Sequence, residues 1–388
     1  MSTWQIHDLH DVLFGIDSRL QLGEKLKGYG ATKVLLFHDE AMKPLGYVDE
    51  LVKVVKDAGV DIVTYQGAPG EPKSGNVDAV VAFAKEEQID AIVGLGGGAA
   101  MDTAKLAGKV LANGGKTTDY LGGYTALGTG NKLFSPMILL PTTSGTGSEV
   151  SYGLMCENEN NGVKTFTLHP ATLAIIDPWY TFKLPAAVTA FTGIDSFCHC
   201  AECLCNSAAM PNWMADAIAK EGMRMSYQYL PKAYETPEDE EARARMSLAA
   251  MLGGQAITLR KTSIGHAVAN QLSDNYHFPH GVGCSVGIDV QARYNVLGDP
   301  DTTRIWAECM GIPCDADADM TAVGNIVVEK VEELLKRVGL KNMKELGVEE
   351  SFCDVIADNV AKDKKWTIVP NPPDFDLLRK VIKESYDY

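Results

Sequence analysis

The sequence is poor in basic residues, and this property restricts the partners that the protein can bind. Only 35 lysine and arginine residues stand against 51 acidic ones, so the 388 residues carry a formal charge of −16. A protein that binds nucleic acid or an anionic membrane needs a basic surface. We therefore expect neither kind of partner.

The sequence also lacks long apolar runs. No stretch reaches the length of about 20 apolar residues that spans a bilayer, and the first residues do not resemble a signal peptide. Nine cysteines without a secretory context indicate reduced thiols, not a disulfide framework. We therefore expect a cytoplasmic protein without a membrane segment.

Hydrophobic residues make up 46% of the chain, which is enough for a large core, and the length predicts about two domains. In the first half, buried strand patterns at 33–37, 60–65 and 91–95 alternate with helical patterns at 48–58 and 77–87. Strands that alternate with helices pair in parallel. This half is predicted to be an α/β domain.

After residue 184 the strand patterns end and helical periodicity continues to the end of the chain. The clearest helical patterns are 214–230, 237–259, 320–338 and 374–386. We therefore predict an α/β domain over residues 1–183 and an all-helical domain over residues 184–388.

The third strand pattern continues into the run GGGAAMDTAK at 96–105. Glycines let the backbone approach a pyrophosphate, and a helix N-terminus offers free N–H groups. The pattern alone fits a tight strand-to-helix turn equally well. Asp39 ends an early strand, where a carboxylate binds ribose hydroxyls and repels a 2′-phosphate. If this is a dinucleotide site, NAD is favoured over NADP.

A second run, PTTSGTGSEV at 141–150, follows the strand pattern at 137–140. Its hydroxyl groups and backbone N–H groups suit phosphate and ribose. As a lone segment, a plain polar loop is the better interpretation.

Asp195 and His199 are four residues apart, so on a helix they share one face. With His266 and His280, they make a ligand set that suits iron(II) or zinc. On Asp195 and His199 alone, a helix aspartate and an unrelated packed histidine is the better interpretation.

Four cysteines lie in the same region, between residues 198 and 205. A sulfur metal site normally pairs two separated Cys-x-x-Cys segments. These cysteines point in different directions on one predicted helix, so we expect buried thiols.

The chain resembles the iron-containing (group III) alcohol dehydrogenase family in several motifs that occur in the same order. They are the runs at 96–105 and 141–150, GIDSFCH at 193–199, and the histidines in GH and PHG at 265–281. The resemblance covers roughly residues 30 to 380. It implies an NAD-binding α/β domain followed by an all-helical metal domain, the architecture of dehydroquinate synthase-like proteins.

The resemblance also implies roles for individual residues. Asp195, His199, His266 and His280 match the metal ligands. The cofactor-binding positions are Asp39, Gly97, Gly98, Asp102, Thr142, Thr143, Thr146 and Lys164. Trp366 lies in a segment near the substrate in the family. The implied cofactors are NAD and Fe(2+), with zinc as the alternative, and we expect a homodimer or higher homo-oligomer.

The sequence departs from the family at several places. Ala99 replaces a serine after the glycines, and Asn270 replaces a second histidine near the nicotinamide. Because an amide does not transfer protons as imidazole does, a water chain or a ribose hydroxyl would take that role. Arg260 and Lys261, just before His266, would suit a carboxylate, sulfonate or phosphonate on the substrate. The slightly better interpretation is that these two side chains pair with acids or face solvent.

The resemblance predicts an NAD-dependent alcohol dehydrogenase that works mainly as an aldehyde reductase on a small aldehyde. Two other functions stay open. A lyase like dehydroquinate synthase shares the architecture, but it needs more basic residues around a phosphate. A protein that binds the cofactor without catalysis is the second alternative.

Overall fold

The hydrophobic runs in the first part of the chain form strands and helices in the predicted order. The computed structural model describes residues 10–123, 129–206, 210–363 and 374–388. The strands are β1 (Asp11–Phe14), β2 (Lys33–His38), β3 (Asp61–Gln66), β4 (Ala91–Gly96), β5 (Met137–Pro141), β6 (Gly153–Asn158), β7 (Val163–Leu168) and β8 (Leu173–Ile176). The helices are α1 (Leu22–Gly28), α2 (Tyr47–Asp57), α3 (Ser74–Glu86) and α4 (Gly98–Asn113).

Within the described residues, six strands form one parallel sheet in the order β1-β8-β5-β4-β2-β3. Strand β4 is buried along its whole length, which explains its uninterrupted apolar sequence. It lies next to β2, with Leu95 opposite His38. The loops that follow these two strands therefore leave the sheet side by side, as in sheets that bind nucleotides. Strands β6 and β7 form a separate antiparallel pair.

The chain separates into two compact units. The first runs to Thr143 and resumes over Gly147–Thr181, and the second takes in Ser144–Thr146 and Phe182–Tyr388. The described residues of the second unit form helices and no strands. They are α5 (Ala186–Cys205), α6 (Trp213–Glu235), α7 (Glu240–Leu259), α8 (Ile264–Tyr276), α9 (His280–Gly298), α10 (Pro300–Met310), α11 (Met320–Arg337), α12 (Phe352–Val360) and α13 (Phe375–Glu384).

Local sequence explains where several of these helices begin. The side chains of Asn212, Asp239 and Asp319 accept hydrogen bonds from N–H groups in the first turns of α6, α7 and α11. Such caps stabilise a helix start by about 1 kcal/mol. None of the helices in the described ranges has both the length and the apolar character of a bilayer-spanning segment.

Helix α5 is the central helix of the second unit and is buried around most of its surface. Its thiols at Cys198, Cys200, Cys203 and Cys205 are buried and unpaired by disulfides. The expectation of buried thiols is therefore confirmed. The helix also contacts α6, α7 and α9, so a side chain on it is held from several directions.

Helices α8 and α9 approach each other backbone to backbone because glycines remove side chains from their interface. A Cβ atom on Gly287 would lie 2.1 Å from the carbonyl oxygen of Gly265. A Cβ atom on Gly283 would lie 2.7 Å from the carbonyl oxygen of Ala269. Real side chains do not fit at these distances, so the glycines keep the two helices close together.

Candidate metal centre

Asp195 and His199 lie on one face of α5, as their spacing predicts. Nε2 of His199 is 3.5 Å from Oδ1 of Asp195, and both side chains are buried. The helix is packed on several sides, so the pair is fixed by the core and not by a surface loop.

His266 and His280 come to the same carboxylate from two other helices. His266 is near the start of α8, and its Nε2 is 3.5 Å from Oδ1 of Asp195. His280 is the first residue of α9, and its Nε2 is 3.8 Å from the same oxygen. The structure thus brings together all four residues that match the family's ligands.

The distances from Oδ1 of Asp195 to the three histidine nitrogens fit one shared ion. A hydrogen bond between a nitrogen and an oxygen is about 2.7–3.2 Å long, so separations of 3.5 to 3.8 Å are too long for good hydrogen bonds. Four ligands placed about 2.1 Å from one ion in a tetrahedron lie about 3.4 Å from one another. The donor set therefore fits a divalent ion such as iron(II) or zinc.

The charges in the cluster also favour a cation. Burial alone would raise the pKa of Asp195, but the imidazoles of His199, His266 and His280 hold it well below its usual range. Burial lowers the pKa of His199, which favours the neutral form that binds metals. A charged carboxylate in a buried site needs a compensating positive charge.

Glu202 is a functional residue that the sequence analysis missed. Its Oε1 lies 2.6 Å from Nδ1 of His266, and its Oε2 accepts the backbone N–H groups of Ser263 and His266. This contact holds the proton of the imidazole on Nδ1 and leaves Nε2 as the nitrogen that would bind a metal ion. The spacing could have identified Glu202, because Asp195, His199 and Glu202 are separated by four and then three residues and so lie on one helical face.

Replacing Glu202 with glutamine should lower the affinity for zinc or iron(II) about 10- to 100-fold, because His266 loses the partner that orients it. A competition titration against a chelator of known affinity measures this change. The matched control is Glu221→Gln, which removes a partly exposed carboxylate on α6 that pairs with Arg224. Equal metal affinity in wild type and Glu202→Gln would contradict the orienting role.

Cys284 is a second residue that the sequence analysis did not single out. It lies one turn after His280 on α9, and its Sγ is 3.4 Å from Oδ1 of Asp195. Asp195, His266, His280 and Cys284 each place one donor atom within 4.8 Å of the others. The buried cluster thus contains a sulfur atom beside the four predicted donors.

In the first unit, Asp39 lies against the glycine turn that follows β4. The N–H of Gly97 donates to Oδ2 of Asp39 at 3.4 Å. Gly96 has φ 150°, and a Cβ atom there would lie 2.5 Å from the same oxygen, so only glycine fits. Helix α4 begins at Gly98 and leaves free N–H groups at this turn, where a pyrophosphate binds favourably.

Asp102 and Lys105 support the segment that follows β5. The hydroxyl of Ser148 and the N–H of Met155 donate to the two carboxylate oxygens of Asp102. The buried ammonium of Lys105 lies 3.4 Å from Asp102. It donates to the carbonyl oxygens of Ser148 and Gly153. Asp102 therefore shapes this loop, while its contact with a pyrophosphate stays a prediction.

The other cofactor positions are placed as follows. The buried Thr142 donates its N–H to the carbonyl of Gly96, and Oγ1 of Thr143 lies 3.7 Å from the Cβ position of Gly97. Thr146 groups with the second unit. Lys164 forms an ion pair with Glu71 at 3.1 Å. Roles for these residues in binding NAD stay predictions.

Arg260 does not face a substrate site. Its guanidinium is fully buried and bonded to the backbone carbonyls of Met210, Cys203 and Asn212 and to Oδ1 of Asp216. These partners already satisfy the charge and most of the donors. The ion pair with Asp216 agrees with the slightly better interpretation, in which Arg260 is paired with an acid, and speaks against a role in binding a substrate anion.

The remaining substrate candidates differ in position. Lys261 is exposed, and its carbonyl accepts a 2.6 Å hydrogen bond from the Asn206 amide. Asn270 is half-buried and lies one turn after His266 on α8. Trp366 lies outside the described residues. Substrate roles for these three residues stay predictions.

Comparison with known proteins places this arrangement among metal-containing dehydrogenases. The family model "Iron-containing alcohol dehydrogenase" matches residues 10–178, and "Fe-containing alcohol dehydrogenase family, C-terminal" matches residues 189–386. The two matches together span nearly the whole chain.

Individual relatives and solved structures agree with this match. The chain is 31% identical over 369 residues to the NAD-dependent methanol dehydrogenase of Bacillus methanolicus, covering 94% of this chain and 95% of the relative. It is 30% identical over 379 residues to the 1,3-propanediol dehydrogenase of Citrobacter freundii, covering 96% of each. A solved structure of 1,3-propanediol oxidoreductase superposes with a TM-score of 0.91 at 27% identity, over 98% of this chain and 100% of that chain. The predicted fold class is confirmed.

Proposed function

Because the chain belongs to the iron-containing alcohol dehydrogenase family, we propose that it interconverts a small aldehyde and its alcohol with NAD(H) and a divalent metal. The observation that carries this proposal is the meeting of His199, His266 and His280 around one oxygen of Asp195. Reduction of the aldehyde is the proposed main direction. We assign residues 1–183 to cofactor binding and residues 184–388 to metal and substrate binding.

The metal ligands proposed are Asp195, His199, His266 and His280. An iron(II) or zinc ion held by them would supply Lewis-acid polarisation of the substrate oxygen. Asp195 contributes a negative charge and Glu202 orients His266. Asp195, His199 and His266 are buried, while His280 is partly exposed. Asn270 does not move a proton, so a water or a ribose hydroxyl is the proposed carrier.

The proposed cofactor is NAD, which supplies the hydride chemistry when bound. The support lies in Asp39 beside the glycine turn and in the free N–H groups at the start of α4. A charged carboxylate next to this turn accepts hydrogen bonds from ribose hydroxyls and repels a 2′-phosphate.

Replacing Asp39 with asparagine should raise the NADPH-to-NADH ratio of kcat/KM about tenfold, because it removes the charge that repels the 2′-phosphate. Steady-state kinetics with each cofactor measure the ratio. The control is Asp61→Asn, which neutralises an exposed aspartate at the start of β3. An unchanged ratio in the Asp39 variant would argue against its position at the ribose.

The test of the whole proposal follows NADH absorbance with neutral and anionic aldehydes, with iron(II) and zinc compared. We expect NADH loss that depends on both metal and aldehyde. A lyase like dehydroquinate synthase recycles its NAD and gives no net absorbance change. Tight NADH binding without turnover on any aldehyde would support the non-catalytic alternative and overturn the proposal.

Because Arg260 is buried and paired, Lys261 is the remaining cation proposed to bind an anionic group on the aldehyde. Replacing Lys261 with alanine should raise KM for an aldehyde with a terminal carboxylate or sulfonate about threefold, the effect of one exposed ion pair. KM for butanal should not change and serves as the internal control. Equal effects on both aldehydes would remove the anionic-substrate hypothesis.

A further inference from the structure

The thiol of Cys284 lies inside the donor cluster, not beside it. The residue is buried, and its Sγ is 3.4 Å from Oδ1 of Asp195 and 4.0 Å from Nε2 of His266. It follows His280 by four residues on α9, so both side chains lie on one face of that helix. Helix α5 offers Asp195 and His199 with the same spacing.

The Cys284 thiol donates a hydrogen bond to Oδ1 of Asp195, and the two distances also fit a sulfur atom that binds the same ion. Metal–sulfur bonds are about 2.3 Å long, and metal–oxygen or metal–nitrogen bonds are about 2.1 Å long. Two such ligands lie about 3.1 Å apart at a right angle and about 3.8 Å apart at 120°. The observed separation from Asp195 lies within this interval, and the separation from His266 corresponds to a slightly wider angle.

The backbone holds the thiol in this position. The neighbouring Gly283 lies against the carbonyl of Ala269, so α9 packs closely on α8 at this position. Asp195, His266 and His280 form one group of mutually close donors with Cys284. The sulfur lies 3.4 Å from Oδ1 of Asp195, as close as the nitrogens of His266 and His280, at 3.5 and 3.8 Å.

We propose that Cys284 is a fifth ligand of the ion held by Asp195 and the three histidines. This inference rests on the proposed metal centre and adds a sulfur donor to it. When the ion binds, the S–H bond breaks, the proton passes to solvent, and a sulfur–metal bond forms without electron transfer. A thiolate donor favours borderline-soft ions such as zinc and cobalt(II).

The experiment loads the full-length protein with cobalt(II) without oxygen and records the near-ultraviolet and visible spectrum. A sulfur ligand gives a sulfur-to-cobalt charge-transfer band, which oxygen and nitrogen ligands do not give. We expect the band in wild type and its loss in Cys284→Ser and Cys284→Ala, with the visible cobalt bands retained. Elemental analysis measures the cobalt bound per chain, and circular dichroism confirms that the variants fold.

The matched control is Cys203→Ser, because Cys203 is also buried and its thiol donates to the carbonyl of Ala256, not to a residue of the cluster. This variant should keep the band. Stoichiometric cobalt binding without the band in wild type would overturn the role of Cys284 and leave the four-ligand centre standing. A band that survives in Cys284→Ser would also overturn it. Failure of wild type to bind cobalt at all would instead count against the metal centre itself.

Discussion

Replacing Asp195 with asparagine should lower kcat/KM for aldehyde reduction by about a thousandfold or more and remove the bound metal. The change keeps the shape of the side chain but deletes the charge around which the three histidines are arranged. Without that charge, a divalent ion in a buried site loses its main electrostatic compensation. Loss of Lewis-acid polarisation alone accounts for an effect of this size.

Elemental analysis of the purified variant and NADH-dependent kinetics measure the two effects separately. The control is Ser196→Ala, the next residue on α5, which is buried and whose hydroxyl has no hydrogen-bond partner among the described residues. It should keep metal and most activity. An Asp195→Asn protein with full metal content and near-normal turnover would rule out this centre as the site of catalysis.

Replacing Gly287 with alanine should lower the free energy of unfolding by about 3 kcal/mol, at the upper end of the usual cost of overpacking. The new methyl group would lie 2.1 Å from the carbonyl oxygen of Gly265, and a backbone atom does not rotate away as a side chain does. Helices α8 and α9 would have to separate. Since they present His266 and His280, metal affinity should fall together with stability.

Denaturant unfolding and a metal titration on the same preparation measure both consequences. The matched control is Gly324→Ala on α11, where the three atoms nearest to the added methyl all belong to the side chain of Val296, at 3.0 to 3.2 Å. We expect a smaller loss there, because these contacts are longer than the 2.1 Å at Gly287 and the higher helix propensity of alanine offsets part of the cost. If both variants were equally stable and bound metal equally well, the close contact of α8 and α9 would not be what positions the histidines.

The elements with strong periodicity were predictable from sequence, and the shortest ones were not. Strand β4 and helix α4 follow from an apolar run and a glycine turn. Strand β1 has four residues and no clear alternation, and it exists because β8 lies beside it. Such a strand is set by tertiary pairing, which a local pattern does not contain.

In the site, too, features set by local sequence were predictable, and features set by the packing of distant segments were not. The spacing of Asp195 and His199 predicts their shared face, and it should also have pointed to Glu202. The approach of His266 and His280 depends on how α8 and α9 pack, so only the family resemblance pointed to it. Pairing of Arg260 with an acid was the favoured interpretation, but the sequence did not identify the partner, because Asp216 lies 44 residues earlier in the chain.

The glycine contacts between α8 and α9 bear on what happens when the ion leaves. In small zinc domains the metal creates the fold, and a chelator unfolds the chain. Here the backbones of two donor-bearing helices touch directly, and α5 is embedded in the core. We therefore expect the metal-free chain to stay folded and to bind a new ion without refolding. The metal found in a purified sample should then reflect the ions available during growth and purification.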